Sequence, residues 1–81
     1  MDAHKLVKMA NEIGAFFETD PDPQAVLDGA AGHIRRFWDP RMRRELLRWV
    51  DDHAGAGLTP SVLASIQANR AKLQPPAKRP A

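Results

Sequence analysis

Three of the seven prolines in this chain directly follow a helix-capping residue: Asp22-Pro23, Asp39-Pro40 and Thr59-Pro60. The side-chain oxygen of Asp or Thr at an N-cap accepts an amide hydrogen that the first helical turn leaves unpaired. Proline at the first helical position loses nothing by lacking its own N–H. A residue before proline also avoids the helical region, so a preceding helix must end there. The three pairs therefore cut the 81 residues into four helical segments, with Asp22, Asp39 and Thr59 as structural caps. No stretch shows the alternation of β-branched and polar side chains that marks a strand. The expected fold class is all-α: a small single-domain bundle of about four short helices.

Apolar periodicity fills in the segments. The first helix is expected over 3–18, with Leu6, Met9, Ala10, Ile13, Phe16 and Phe17 in one arc at ~100° per residue. The second is expected over 23–37, with Val26, Leu27, Ala30, Ile34 and Phe37 inward, His33 on one edge and Trp38 on the other. Along its side runs a line of small residues, Ala25, Gly29 and Gly32, ending at Arg36. That line fits close approach either of a neighbouring helix or of a partner chain. The third helix is expected over 40–54, with Met42, Leu46, Trp49, Val50 and His53 on one face, stopped by Gly55 and Gly57. The fourth is expected over 60–72, opened by a staple between Leu58 and Leu63. The domain then spans 1–72, and the proline-rich, basic segment 73–81 is expected to be a flexible tail.

Composition removes several function classes. With no cysteine, the chain has no disulfide, no thiolate metal ligand and no cysteine nucleophile. A chain this short without a disulfide staple points to a reducing compartment, and a cytoplasmic location is expected. The longest clean apolar run, Ile13–Phe17, falls far short of the ~20 residues of a membrane-spanning helix. Asp51-Asp52-His53 is the only acid–histidine cluster, and neighbouring residues on a helix diverge rather than converge on a metal. His33 reads as a half-buried packing residue. Ser61 and Ser65 have no histidine near them in sequence, and Gly29-Ala30-Ala31-Gly32 lies inside a helix, where it cannot cradle a phosphate. No catalytic, cofactor-binding or metal-binding residue is assigned.

The charge is uneven. The net charge is +2, but residues 35–48 carry Arg35, Arg36, Arg41, Arg43, Arg44 and Arg48 against Asp39 and Glu45. Arg41, Arg44 and Arg48 fall at i, i+3, i+7 and form a stripe on the third helix, with local pairing expected from Glu45 to Arg41 and from Asp51 to Arg48. Arginine without lysine favours planar, bidentate partners and tolerates an interface. One use of the stripe is a free-standing nucleic-acid-binding domain. However, the exposed face of that helix offers only arginine and no Asn, Gln, Ser or Thr to read bases. The other use is protein docking. Phe37, Trp38, Asp39 and Pro40 make a stapled corner among arginines, and Trp and Arg are the residue types most enriched in interface hot spots. The expected partner-binding residues are Arg36, Phe37, Trp38, Arg41, Arg44 and Arg48.

The corner string Phe37-Trp38-Asp39-Pro40-Arg41-Met42-Arg43, preceded by Leu6-Val7-Lys8-Met9-Ala10-Asn11-Glu12-Ile13-Gly14-Ala15-Phe16-Phe17 and followed by Gly55-Ala56-Gly57-Leu58-Thr59-Pro60, resembles the delta subunit of soluble NAD-dependent formate dehydrogenases. The resemblance spans roughly residues 4–66. It implies a non-catalytic accessory subunit of a cytoplasmic complex that oxidises formate to carbon dioxide. The large catalytic subunit of such a complex holds a molybdenum or tungsten bis-pterin cofactor and iron–sulfur clusters, and further subunits pass electrons through iron–sulfur clusters and FMN to NAD. The implied role is assembly or stabilisation of the catalytic subunit, with cofactor insertion as a further implied task. The resemblance carries over no catalytic residue. The implied partners are the large subunit and the other subunits, with no membrane.

Overall fold

The computed structural model describes residues 2–76 and contains helices α1 (Ala3–Phe17), α2 (Pro23–Phe37), α3 (Pro40–His53), α4 (Pro60–Ala68) and the single turn α5 (Arg70–Leu73). No strand occurs among the described residues. The expected caps form. Asp22 Oδ1 accepts from the Gln24 amide at 3.0 Å, Asp39 Oδ1 from Met42 at 2.9 Å, and Thr59 Oγ1 from Val62 at 3.4 Å. Asp2, for which no cap was expected, caps α1 through the His4 amide at 2.9 Å. Asp39→Ala is expected to cost about 0.5–2 kcal/mol, the usual loss for an N-cap. A urea melt superimposable on the parent would show that α3 does not depend on it.

α2 is the central element and packs on α1, α4 and α5, while α1 also reaches α3 and α4. The core joins Leu6 and Ala10 of α1, Ala31 and Ile34 of α2, Leu46, Leu47 and Val50 of α3, and Val62 and Ile66 of α4, with Trp38 at the α2–α3 corner. α1 and α4 come close at Gly14. A Cβ built there would lie 2.2 Å from Val62 Cγ2, so α1 and α4 meet where a side chain is missing.

Two polar devices lock the loops. Asn11 donates Nδ2–H to the Gly57 carbonyl at 2.9 Å, and its Oδ1 accepts from the Thr59 amide at 3.0 Å, tying α1 to the α3–α4 connection. Trp49 donates Nε1–H to the Ala56 carbonyl at 2.7 Å and stacks on His53, with ring centroids 4.2 Å apart. Trp49 and His53 thus brace the loop rather than fill the core, and His53 is exposed. The α3 stop also starts one residue early, because Ala54 itself adopts the left-handed conformation at φ 53° ahead of Gly55.

The expected fourth helix over 60–72 is broken at Asn69, whose backbone leaves the helical region (φ −117°, ψ 22°). The cause is on its side chain. Asn69 Nδ2 donates to the Leu27 carbonyl of α2 at 3.3 Å and to the Ser65 carbonyl at 3.1 Å, while Ser65 Oγ also donates to Leu27. Serving both helices turns the chain, and α5 then lays Leu73 into the core at 1% exposure. Leu73 and Pro75, both expected in the flexible tail 73–81, are thus buried. The rest of that expectation, residues 77–81, lies outside the described residues.

Candidate docking surface

The large residues of α1 do not all face inward. Leu6, Val7, Ala10 and Gly14 are the buried ones, whereas Phe16 is 72% exposed and Met9 40%. The apolar arc of α1 is wider than the stripe its neighbours can cover. The surplus edge is Met9 and Phe16, with Ile13 between them half-buried against the core, at i, i+7 and i+4 along one side. On α2 the matching surplus is Phe37, 69% exposed at the last helical position. These residues do not stand singly: Met9, Phe16 and Phe37 line one open, mainly apolar groove of about 570 Å³, with Trp38 and Met42 also in its lining. Scattered exposed hydrophobics need no explanation, but several lining one groove mark an interaction surface.

A row of rings builds the groove wall. Phe16 meets Phe17 edge-on with centroids 5.1 Å apart, Phe17 lies 6.3 Å from His33, and His33 lies 4.6 Å from Phe37. The row forms because α1 and α2 come close at Gly29, where a Cβ would sit 2.3 Å from the Phe17 ring. The small-residue line of α2 is thus partly an internal contact, at Gly29. Gly32 faces open space.

Of the expected partner-binding residues, Arg36, Phe37, Arg41 and Arg48 are exposed and Arg44 is half-buried. Trp38 is the exception. At 5% exposure it is a core residue, because it serves as the extended C-cap of α2, where the chain turns to reach Asp39 and Pro40. The local pairings differ from those expected. Glu45 approaches Arg48 at 3.9 Å rather than Arg41, and Asp51 forms a bidentate pair with Arg70, at 2.9 and 2.7 Å, rather than with Arg48. The Arg70 fork draws Asp51 towards α5. Among the described residues Arg35, Arg36, Arg41 and Arg44 have no ion pair.

Nothing in the sequence sets Arg43 apart from the other arginines of α3. It is 6% exposed, its Nη1 donates to the Leu73 carbonyl at 3.4 Å, and its Nε has no partner. Met9 and Phe16, expected in the core arc, are exposed, and their spacing relative to Gly14 puts them on the edge that the close helix contact leaves outside.

Residues 5–66 match the family described as NADH-dependent formate dehydrogenase delta subunit FdsD. The chain belongs to the FdsD family. The match covers most of the chain and contains the whole groove, the α2–α3 corner and the Asn11 clamp. No match was found among curated proteins or solved structures. Among the described residues of this FdsD chain, no group of three or more His, Cys, Asp or Glu side chains could hold a metal ion. No helix among them is long and apolar enough to cross a membrane.

Proposed function

We propose that this chain is a non-catalytic delta subunit that docks on the large catalytic subunit of an NAD-dependent formate dehydrogenase and supports that subunit's assembly or stability. The observation that carries the reading is the family match over residues 5–66. An exposed apolar groove supports it, as do the exposed Arg36 and Arg41, which have no ion pair among the described residues, since such surfaces are what an accessory subunit needs and a free-standing small domain does not. In this reading the redox chemistry belongs to other subunits: a molybdenum or tungsten bis-pterin centre for formate, then iron–sulfur clusters and FMN to NAD, all in the cytoplasm. Arg36, Arg41, Arg44 and Arg48 set register and orientation through carboxylates, while apolar burial by residues such as Phe37 supplies most of the affinity.

The test is co-expression of the other subunits with and without this chain. The expected result is co-purification of the chain with the large subunit, and loss of assembled complex and of formate-dependent NAD reduction when it is omitted. Full assembly and activity without it would remove the assembly role. Formate-dependent NAD reduction by the purified chain alone would overturn the non-catalytic assignment.

A further inference from the structure

We infer that α5 is a latch: it lifts from α2 and α3 while the rest of the fold stays closed, and the Arg43 guanidinium beneath it then pairs with a carboxylate of another subunit of the dehydrogenase. The pairing rests on the reading of the chain as a formate dehydrogenase subunit; the lifting does not.

Arg43 carries a charge that the closed fold does not satisfy. An arginine head group cannot shed its charge in a protein. Here it is 6% exposed, with one long hydrogen bond from Nη1 to the Leu73 carbonyl at 3.4 Å and no partner at Nε. Holding a charge out of water without a counter-charge is costly. Leu73, which Nη1 reaches, is the last residue of α5, the shortest helix of the fold. Four residues fall far short of the ~12–15 that an isolated helix needs. No side chain caps α5 at Asn69, and its backbone bonds run from Lys72 and Leu73 to Asn69 and from Gln74 to Arg70. Docking therefore holds it in place.

Two contacts do most of that. Leu73 is 1% exposed in the core, and Arg70 pairs with Asp51. The pair is open to water, with side chains 41% and 55% exposed, and such pairs contribute little. Asn69 is the pivot: its side chain stays tied to the Leu27 and Ser65 carbonyls, and α5 begins at the next residue. Elements with few buried contacts are the ones that open locally. Opening exposes Leu73 but hydrates Arg43, so the closed state is favoured by less than the burial of Leu73 alone would give. The open state then presents a fork of free N–H groups, which a carboxylate matches in a bidentate pair. The family match contains Arg43 and ends at residue 66, before α5, so the covered residue lies in the matched part and its cover lies outside it.

Hydrogen exchange on the isolated full chain reads the latch at the amides of Lys72, Leu73 and Gln74. They are expected to be at least ~10-fold less protected than amides in the middle of α2 and α3. Equal protection would mean that α5 opens only with the whole fold, which overturns the inference. Asp51→Asn, at an exposed position, should raise opening at those three amides about 2–5-fold. Leu73→Ala should raise it at least ~10-fold, and Arg43→Met should lower it. Association is read by competition, with a tagged variant and the parent chain co-expressed with the other subunits. Apparent affinity scales with the fraction of chains in the competent state, so each opening variant should gain over the parent by the factor seen in exchange. Adding Arg43→Met should remove that gain. Thermal melts check folding, and Asp51→Asn alone carries the comparison if Leu73→Ala does not fold. If the parent associates with no subunit, the proposed function fails and the carboxylate partner with it. If the parent associates, and Asp51→Asn opens α5 without a gain or keeps its gain after Arg43→Met, this inference alone fails.

Discussion

Gly14→Ala is expected to destabilise the fold by about 1–3 kcal/mol through overpacking, although alanine is intrinsically the better helix former by about 1 kcal/mol. The added Cβ would lie 2.2 Å from Val62 Cγ2. Val62 has no exposed surface, and its β-branched side chain has few rotamers to retreat into. The helices must therefore separate, which loosens α1 against α4 and strains the clamp from Asn11 to Gly57 and Thr59. At ~0.05–0.15 kcal/mol per residue, a domain of this length holds only a modest reserve, so the loss is a large share of it. Urea melts provide the measurement, with a lower midpoint and an unchanged slope. The double variant Gly14→Ala/Val62→Ala should recover part of the loss, with a coupling of about 0.5–3 kcal/mol. A gain in stability from Gly14→Ala alone would mean that the helices do not meet there.

Arg43→Met has the opposite expected sign. The guanidinium is buried, makes one long contact at 3.4 Å to the Leu73 carbonyl, and leaves Nε without a partner. Neither ion pair among the described residues involves it. Replacing buried ionic groups by packed apolar ones of similar volume often stabilises by about 1–4 kcal/mol, and losing the Leu73 contact returns about 1 kcal/mol of that. The net expectation is a protein more stable by about 0–3 kcal/mol. For a domain of this size each kilocalorie raises the melting temperature by about 4–8 °C. Arg43→Ala is the control. It removes the charge but also the packed stem, and should recover less or lose stability. A fall in melting temperature for Arg43→Met would show that the guanidinium is satisfied in solution.

The helix starts were legible because their causes are local. A cap and a proline act on the first turn alone, so Asp22-Pro23, Asp39-Pro40 and Thr59-Pro60 place α2, α3 and α4 without reference to anything else. The arginine stripe was legible for the same reason, since i, i+3, i+7 spacing fixes a face of one helix. The family resemblance could likewise be read from consecutive strings, and the match over 5–66 bears it out. The break at Asn69 was not legible, because it depends on a carbonyl of Leu27, 42 residues away in the chain. Nor were the ion pairs, since Asp51 turns to Arg70 only because α5 folds back beside α3.

The sequence by itself determined that this chain is helical, where most helices begin, that it carries no thiol chemistry, and which family it resembles. The tertiary structure alone decided which apolar residues the core accepts. Periodicity gives each helix an apolar arc but not its width of contact, and that width is set by how closely the neighbouring helix can approach. On α1 the approach is set at Gly14 by Val62 and on α2 at Gly29 by Phe17, so the small residues define the buried line. Trp38, expected at an interface, turns inward to close the α2–α3 corner, while Phe16, expected inside, and Phe37, expected both in the apolar arc of α2 and among the partner-binding residues, are left exposed at a groove. A domain this small has too few elements to cover both edges of its apolar arcs, and the edge it leaves open lines the groove.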